Sequence, residues 1–420
     1  MSRLGNKEEN LKHFVKFIYP PMKLIGAWPK PTAASTFSKA IKWSLIVSAY
    51  FLQLLVFVPG VLYLFLKEKN GKKRIHIMIP HINGFSQLCK YTILLRRTSE
   101  FSKILDQLSD DWVDATEDSR HIFRMRANIG HRMVLTVAIT MYTTGLFYRI
   151  IIPLSTGRIV LPNNTTMRML PCPVYFVFFN EQSTPYYEII FVLQIMGGFL
   201  NYTILCSTMG VCLMLCLHLS SLLRILMNKM IELTSQLDTS ETAVQKKISD
   251  IVAYQTKVKE FANSVEEITP YLYFFEIFNY AIEACIVGYC IIVEWEESNA
   301  ASIIVYLMFQ GICIFCNYAM CYIGQLLINE SENVRRMSIT LNWYRFPMKK
   351  ARSLILIIIM SNYPIKLTAG KIVDISLATF TDVRIKNLDF CITFVIYGGN
   401  NIFQIIKASV GYLNVLRKVT

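Results

Sequence analysis

Charged residues are scarce. Asp, Glu, Lys and Arg make up 17% of the 420 residues, where an average soluble chain carries roughly 25%. With 53% hydrophobic residues, that deficit excludes an ordinary soluble globular protein. Catalytic groupings are missing too. Six histidines are scattered, no glycine-rich phosphate loop appears, and no two carboxylates sit together inside an apolar run, so nothing points to an enzyme. The eleven cysteines build no disulfide framework, because most of them (Cys206, Cys212, Cys216, Cys285, Cys290, Cys313, Cys316, Cys321) fall inside apolar runs. Cys313 and Cys316 form a C-x-x-C without the second pair or nearby histidine that a zinc site needs, and no metal or other cofactor is expected. Cys172 is the one cysteine placed for a disulfide, without an evident mate. No cleavable signal peptide is visible, since the first forty residues are polar and basic, with Pro20-Pro21 and Trp28-Pro29-Lys30-Pro31 marking an irregular segment.

What the chain does contain is a series of long apolar runs. A membrane span needs about 20 apolar residues, and seven segments qualify: Ile41–Leu66, Arg74–Leu95, Met133–Leu154, Tyr187–Leu219, Tyr271–Val293, Ser302–Leu327 and Ser353–Leu416. His76, His81, Asn83, Gln87 and Lys90 make the second the weakest. The net charge of +14 comes from basic blocks beside the runs, which favours a lipid bilayer over nucleic acid as partner.

Loop charge sets the orientation. Ser155–Tyr186 carries only Arg158 and Arg168, and Glu294–Ala301 carries no basic residue, whereas Arg96–Arg132, Ser220–Thr269 and Asn329–Arg352 carry six or seven each and the N-terminal segment up to Lys42 eight. The positive-inside rule then puts the N-terminus in the cytoplasm and, after seven spans, the C-terminus outside. Asn163 and Asn164 open two overlapping N-glycosylation triplets in a loop that charge alone places outside. Lys67–Arg74 is the one basic block on the wrong side. An inside N-terminus with seven spans is inverted relative to a G-protein-coupled receptor, and the absence of internal repeats argues against a secondary transporter.

Leu222, Leu223, Leu226, Met230 and Leu233 recur at helical spacing and carry the fourth helix beyond the bilayer, and Ile251, Tyr254, Val258, Phe261 and Val265 repeat the pattern over Asp250–Glu267. Glu276 and Glu283, seven apart, share a face of the fifth span. An intramembrane carboxylate is a functional candidate or a polar helix contact.

The C-terminal region holds Leu341-Asn342-Trp343-Tyr344, a basic amphipathic segment, an apolar run, Leu367-Thr368-Ala369-Gly370-Lys371 and a last helix ending Tyr412-Leu413-Asn414-Val415-Leu416-Arg417. Upstream come Leu170-Pro171-Cys172-Pro173, Thr184-Pro185-Tyr186-Tyr187-Glu188 and Leu215-Cys216-Leu217-His218-Leu219. Their order and spacing resemble the insect odorant receptor family from about Leu161 onward. The resemblance implies an all-α, polytopic membrane protein with seven transmembrane helices and a broken seventh helix. It also implies the odorant-binding subunit of a ligand-gated cation channel, assembled as a heterotetramer with the olfactory co-receptor in the plasma membrane of olfactory sensory neurons. A gustatory-type receptor channel of the same fold is the neighbouring reading. Residues 1–40 would form a cytoplasmic segment and 41–328 the ligand-binding bundle, with a cytoplasmic extension at about 220–270. Residues 329–420 would form the anchor and pore helix.

Family members bind a small organic odorant between the second, third, fourth and sixth helices. The resemblance therefore nominates Tyr142, Phe147, Tyr148, Phe191, Met196, Tyr306 and Gln310, in the expected outer halves of the third, fourth and sixth spans, as ligand contacts; individually each also reads as ordinary helix packing. In the seventh span it implies an inner half over Ala351–Met360, a break at Ser361–Leu367 around Pro364, and a pore helix from Ala369. That pore helix is interrupted. Deleting Val383–Gln404 joins Thr381-Asp382 to Ile405-Ile406-Lys407-Ala408-Ser409 and restores the family register. Val383-Arg384 can be encoded as a splice-donor-like sequence, and Asn401–Gln404 as an acceptor-like one, so the segment reads as a retained intron or a gene-model error. As a genuine insertion it would carry Arg384, Lys386 and Asp389 into the membrane, at about 2.5–3.5 kcal/mol for each central charge. With it removed, Ala408, Tyr412, Val415 and Val419 lie near one stripe, and the resemblance implies that this stripe lines the pore, with Val415 and Val419 at the family's narrow hydrophobic constriction.

Overall fold

The computed structural model describes residues 15–29, 35–160, 166–235, 241–296, 300–341 and 348–385. Asn163, Asn164, the gate candidates Ala408, Tyr412, Val415 and Val419, and residues 386–404 of the expected insert lie outside the described residues.

Pro20 and Pro21, instead of marking an irregular segment, open a short helix α1 (Tyr19–Leu24), where proline's missing N–H is harmless. It buries Met22, and Tyr91 Oη donates to the carbonyl of the following Ile25 at 2.6 Å. Helix α2 (Thr36–Leu62) is capped by Ser35 and ends in a π turn, Tyr63–Lys67. Helix α3 (Gly71–Arg96) is capped by Asn70. Gly60 lets the two helices close: a Cβ there would stand 1.9 Å from the His81 ring. Helices α4 (Thr98–Val113) and α5 (Glu117–Leu146) follow, α5 ending in a second π turn, Phe147–Ile151, before the short α6 (Ile152–Thr156). A ribbon of β1 (Arg158–Val160) and β2 (Thr166–Arg168) leads into a loop that folds over the bundle end.

Helix α7 (Tyr186–Ser235) is the axis of the molecule. Its fifty residues span about 75 Å, more than twice a hydrocarbon core of about 30 Å. It packs against α2, α3, α5, α8 (Glu241–Ile268) and α10 (Ala300–Thr340), while α9 (Pro270–Glu296) joins α3 to α10. The apolar stripes expected at Leu222–Leu233 and Ile251–Val265 meet one another: all their members are buried except half-buried Tyr254.

Five helices are long and apolar enough to cross a membrane among the described residues, within Thr36–Lys67, Glu117–Ser155, Tyr186–Thr234, Pro270–Glu296 and Ser302–Thr340. α3 falls short because of the polar residues noted in the sequence, and the fold uses them internally. Lys90 Nζ pairs with Glu276 at 2.5 Å, Gln87 donates to Asn83 at 3.1 Å, and His76 Nδ1 meets Tyr306 Oη at 2.5 Å. The wrong-side basic block has a similar explanation: Lys67 lies 4.6 Å over the Tyr175 ring, and Arg74 donates to the Glu68 carbonyl at 2.5 Å. The ten described cysteines are unbridged, and Cys172 is buried, held by reciprocal bonds to the Gln194 side chain at 2.9 and 3.1 Å.

The break after α11 (Met348–Ser361) differs from its expected form. Instead of resuming at Ala369, the chain makes a small antiparallel hairpin, β3 (Thr368–Ala369) with β4 (Val373–Asp374), and is helical again only from 377. Gly370 and Lys371 turn it with φ of 61° and 60°, and Gly370 N–H donates to the Pro270 carbonyl at 2.8 Å.

At the opposite end from the ribbon, His218 Nε2 of α7 contacts Asp111 Oδ2 of α4 at 2.9 Å, and Lys257 of α8 reaches the other carboxylate oxygen. Burial opposes the Asp111 charge, but the hydrogen bonds and charges of His218 and Lys257 outweigh it and hold the carboxyl below its ordinary value. A depressed acid contributes stability above its unfolded pKa and loses it as pH falls through the folded one. The melting temperature is therefore expected to drop on acidification below about pH 4, and Asp111→Asn to flatten that limb while lowering stability at neutral pH; a thermal-shift series over pH reads both.

Candidate ligand cavity

A cavity of about 120 Å³ lies at the ribbon end of the bundle between α3, α5 with its π turn, α7 and α10. A comparable apolar cavity of about 150 Å³ is enough to hold benzene. Ile79, Pro80, Val305 and Phe309 supply an apolar wall. The polar part of the lining comes from His76, Asn83, Thr144, Tyr148, Arg149, Asn201, Tyr202 and Tyr306.

The polar groups are organised. The His76–Tyr306 contact bridges α3 to α10, and His76 Nε2 also lies 3.9 Å from Glu294. Asn201 Oδ1 accepts from Gln53 at 3.1 Å, which points that amide across from α7 to α2. Arg149 Nε donates to Tyr202 Oη at 3.2 Å. Gly198 makes room for this guanidinium, since a Cβ there would stand 2.2 Å from Nε.

Of the seven residues nominated from the sequence, Tyr148 and Tyr306 line this cavity. Tyr142 sits deeper, bonded to Thr203 Oγ1 at 2.6 Å and stacked on Phe199. Phe191 stacks with Tyr187 and packs against the cluster that Leu170 and Val174 of the loop form with Ile190 of α7. Phe147 and Met196 are 53% and 51% exposed and face away from the bundle interior. Gln310, one turn beyond Tyr306, is off the lining, and its buried Oε1 has no hydrogen-bond partner among the described residues.

Of the seven nominated residues, Phe147 and Tyr148 lie in the π turn. A wider turn shifts the angular register of the residues after it, so a 3.6-residue projection assigns their faces wrongly. Sequence reading missed Arg149, Asn201 and Tyr202. The available signal was Arg149 itself, a single charge in the Met133–Leu154 run, since an intramembrane ionisable residue is a site candidate by default.

A second hollow, about 350 Å³ between α4, α5, α7 and α8, is lined by Asp111, Asp118, Lys229, Glu232 and Lys257. Its charged rim suits water rather than an apolar ligand. No cluster of His, Cys, Asp or Glu able to hold a metal occurs among the described residues.

A family model described as 7tm Odorant receptor matches residues 74–384. Odorant receptor 30a of Drosophila melanogaster is 22% identical over 217 residues, 51% of this chain and 56% of that protein. Putative odorant receptor 92a of the same organism is 24% identical over 145 residues, 34% of this chain and 35% of that protein. The chain thus spans about half the length of the first of these relatives and about a third of the second. The insect olfactory receptor OR5 from Machilis hrabei, solved in complex with eugenol, has the same fold, with a TM-score of 0.76 at 10% identity over 94% of this chain and all of that one. A second structure of that receptor gives 0.73 at 11% identity over 92% and 99%.

Proposed function

The chain belongs to the 7tm odorant receptor family, a receptor family and not an enzyme family, and from that premise we propose that it is the odorant-binding subunit of a heteromeric, odorant-gated cation channel formed with the olfactory co-receptor. It works in the plasma membrane of olfactory sensory neurons, with its N-terminus cytoplasmic and its C-terminus outside. The observation that carries the reading is the ring-sized cavity between α3, α5, α7 and α10, in a fold shared with a receptor solved with a small aromatic compound. Burying a small organic molecule against Ile79, Val305 and Phe309 supplies affinity, while the polar wall fixes its orientation.

The test is ligand-evoked cation current from cells expressing the chain with an insect co-receptor, as written and lacking Val383–Gln404. The family match ends at residue 384, the second residue of that segment, which supports the reading of the segment as foreign to the mature protein. Current from the shortened chain alone is the expected result; silence from both forms at confirmed surface expression overturns the proposal. In the responsive form, Tyr306→Ala removes a ring from the cavity wall and the partner of His76. It is expected to raise the half-maximal odorant concentration about tenfold or more, read from the concentration–response curve.

The gate is proposed at Val415 and Val419, where a ring of apolar side chains would block ions by dewetting. Val415→Ala is expected to raise ligand-independent current, and an unchanged basal current removes Val415 from that role.

A further inference from the structure

Arg149 is buried, at 6% exposure, and no carboxylate pairs with it among the described residues. Other cations inside the bundle have acids: Lys90 has Glu276, and Arg126 of α5 has Glu330 of α10. The Arg149 guanidinium spends Nε on Tyr202 Oη at 3.2 Å and turns Nη1 toward Cys172 Sγ at 3.9 Å. Neither contact is with a carboxylate or phosphate; among the described residues the guanidinium makes no further hydrogen bond, its carbon lying 5.7 Å from the centre of the Tyr202 ring, so most of the N–H fork that fits an oxyanion is left over. It lines the cavity together with Asn201, Tyr202 and the apolar Ile79, Val305 and Phe309, and Gly198 keeps the space it occupies clear.

We propose that this cavity takes a ring-sized organic acid as its carboxylate, paired with Arg149 and with its apolar body against Ile79, Val305 and Phe309. The chemistry follows from the mismatch in the site. A buried cation without a counter-charge is paired most favourably by an anion, and a volume near 120 Å³ limits that anion to about one ring. A neutral ester of the same shape would satisfy fewer donors and leave the charge uncompensated. The inference rests on the reading of the cavity as the ligand site.

Three one-ring probes test it by equilibrium binding to the purified full-length chain: benzoate, methyl benzoate and toluene. Wild type is expected to prefer benzoate. Arg149→Met removes the charge, and Gly198→Ala displaces the guanidinium while keeping it. Each is expected to weaken benzoate by about thirtyfold or more and toluene by less than about threefold. Arg149→Lys, which keeps the charge but loses the fork, is expected to fall between. Toluene binding reports whether a variant is folded; should Arg149→Met lose it, the other two variants carry the test. Wild-type binding of methyl benzoate or toluene without a preference for benzoate overturns the anion proposal and leaves the ligand cavity standing. Benzoate binding undiminished in the variants also overturns it. Failure of all three probes on wild type overturns the cavity reading together with the proposal.

Discussion

Lys90→Met is expected to destabilise the bundle by about 3–5 kcal/mol, with a matching loss of protein reaching the membrane. Lys90 is 1% exposed and its ammonium stands 2.5 Å from Glu276, so the pair joins α3 to α9 in the interior. Removing the cation strands the Glu276 carboxylate beside buried Glu283, which lies two turns along the same helix and already takes a Cys313 thiol at 3.7 Å. The damage comes from the orphaned charge more than from the lost attraction. Lys90→Met combined with Glu276→Leu therefore recovers most of the stability, because well-packed apolar residues replace a buried pair at little cost. Melting temperatures of the two single variants and the double variant form the cycle that decides it. A double variant as unstable as the single one refutes the account.

Gly324→Ala is the second substitution with a large expected effect. A Cβ at Gly324 would stand 2.3 Å from the Ile375 carbonyl oxygen and 3.0 Å from its carbon, so backbone has to move and not a side-chain tip. Ile375 immediately follows β4 and lies against Gly324 of α10, while the hairpin packs on α9, and the Ile375 N–H donates to the Leu367 carbonyl at 2.9 Å. Overpacking of this kind costs about 1–3 kcal/mol or more, and here it falls on the joint between α10 and the final helix. Gly311→Ala in the same helix meets nothing within 4 Å and is expected to be neutral or to stabilise by up to about 1 kcal/mol. Comparing the two by thermal unfolding, with limited proteolysis after residue 361, separates the clash from the helix propensity common to both. Equal behaviour would show that the hairpin yields.

The long apolar runs were legible because membrane helices are built from composition, and the runs at Ile41, Tyr187, Tyr271 and Ser302 all lie in long helices. α3 was harder to read, because Lys90, His76 and Gln87 look forbidding until their partners on α9, on α10 and within α3 itself are known. Partners from distant sequence leave no local trace. The hairpin escaped for another reason. Strands of two residues carry no periodicity, and only Gly370-Lys371 marks the turn. At the cavity, the helices were nominated through the family resemblance, and single aromatic residues could not be told from ordinary packing: Tyr148 and Tyr306 line it, while Phe147 is exposed and Arg149, two residues on, is buried.

Helix α7 runs for fifty residues without a proline, with Asn201 and Tyr202 at the cavity and His218 packed at the far side against Asp111. Such a rod behaves as a lever. Pivoting about its middle, a tilt of about 2° carries each end sideways by roughly 1.3 Å in opposite directions. A molecule no larger than one ring, wedged beside Asn201, therefore needs to lean on the rod only slightly for the packing among α4, α7 and α8 to register its arrival.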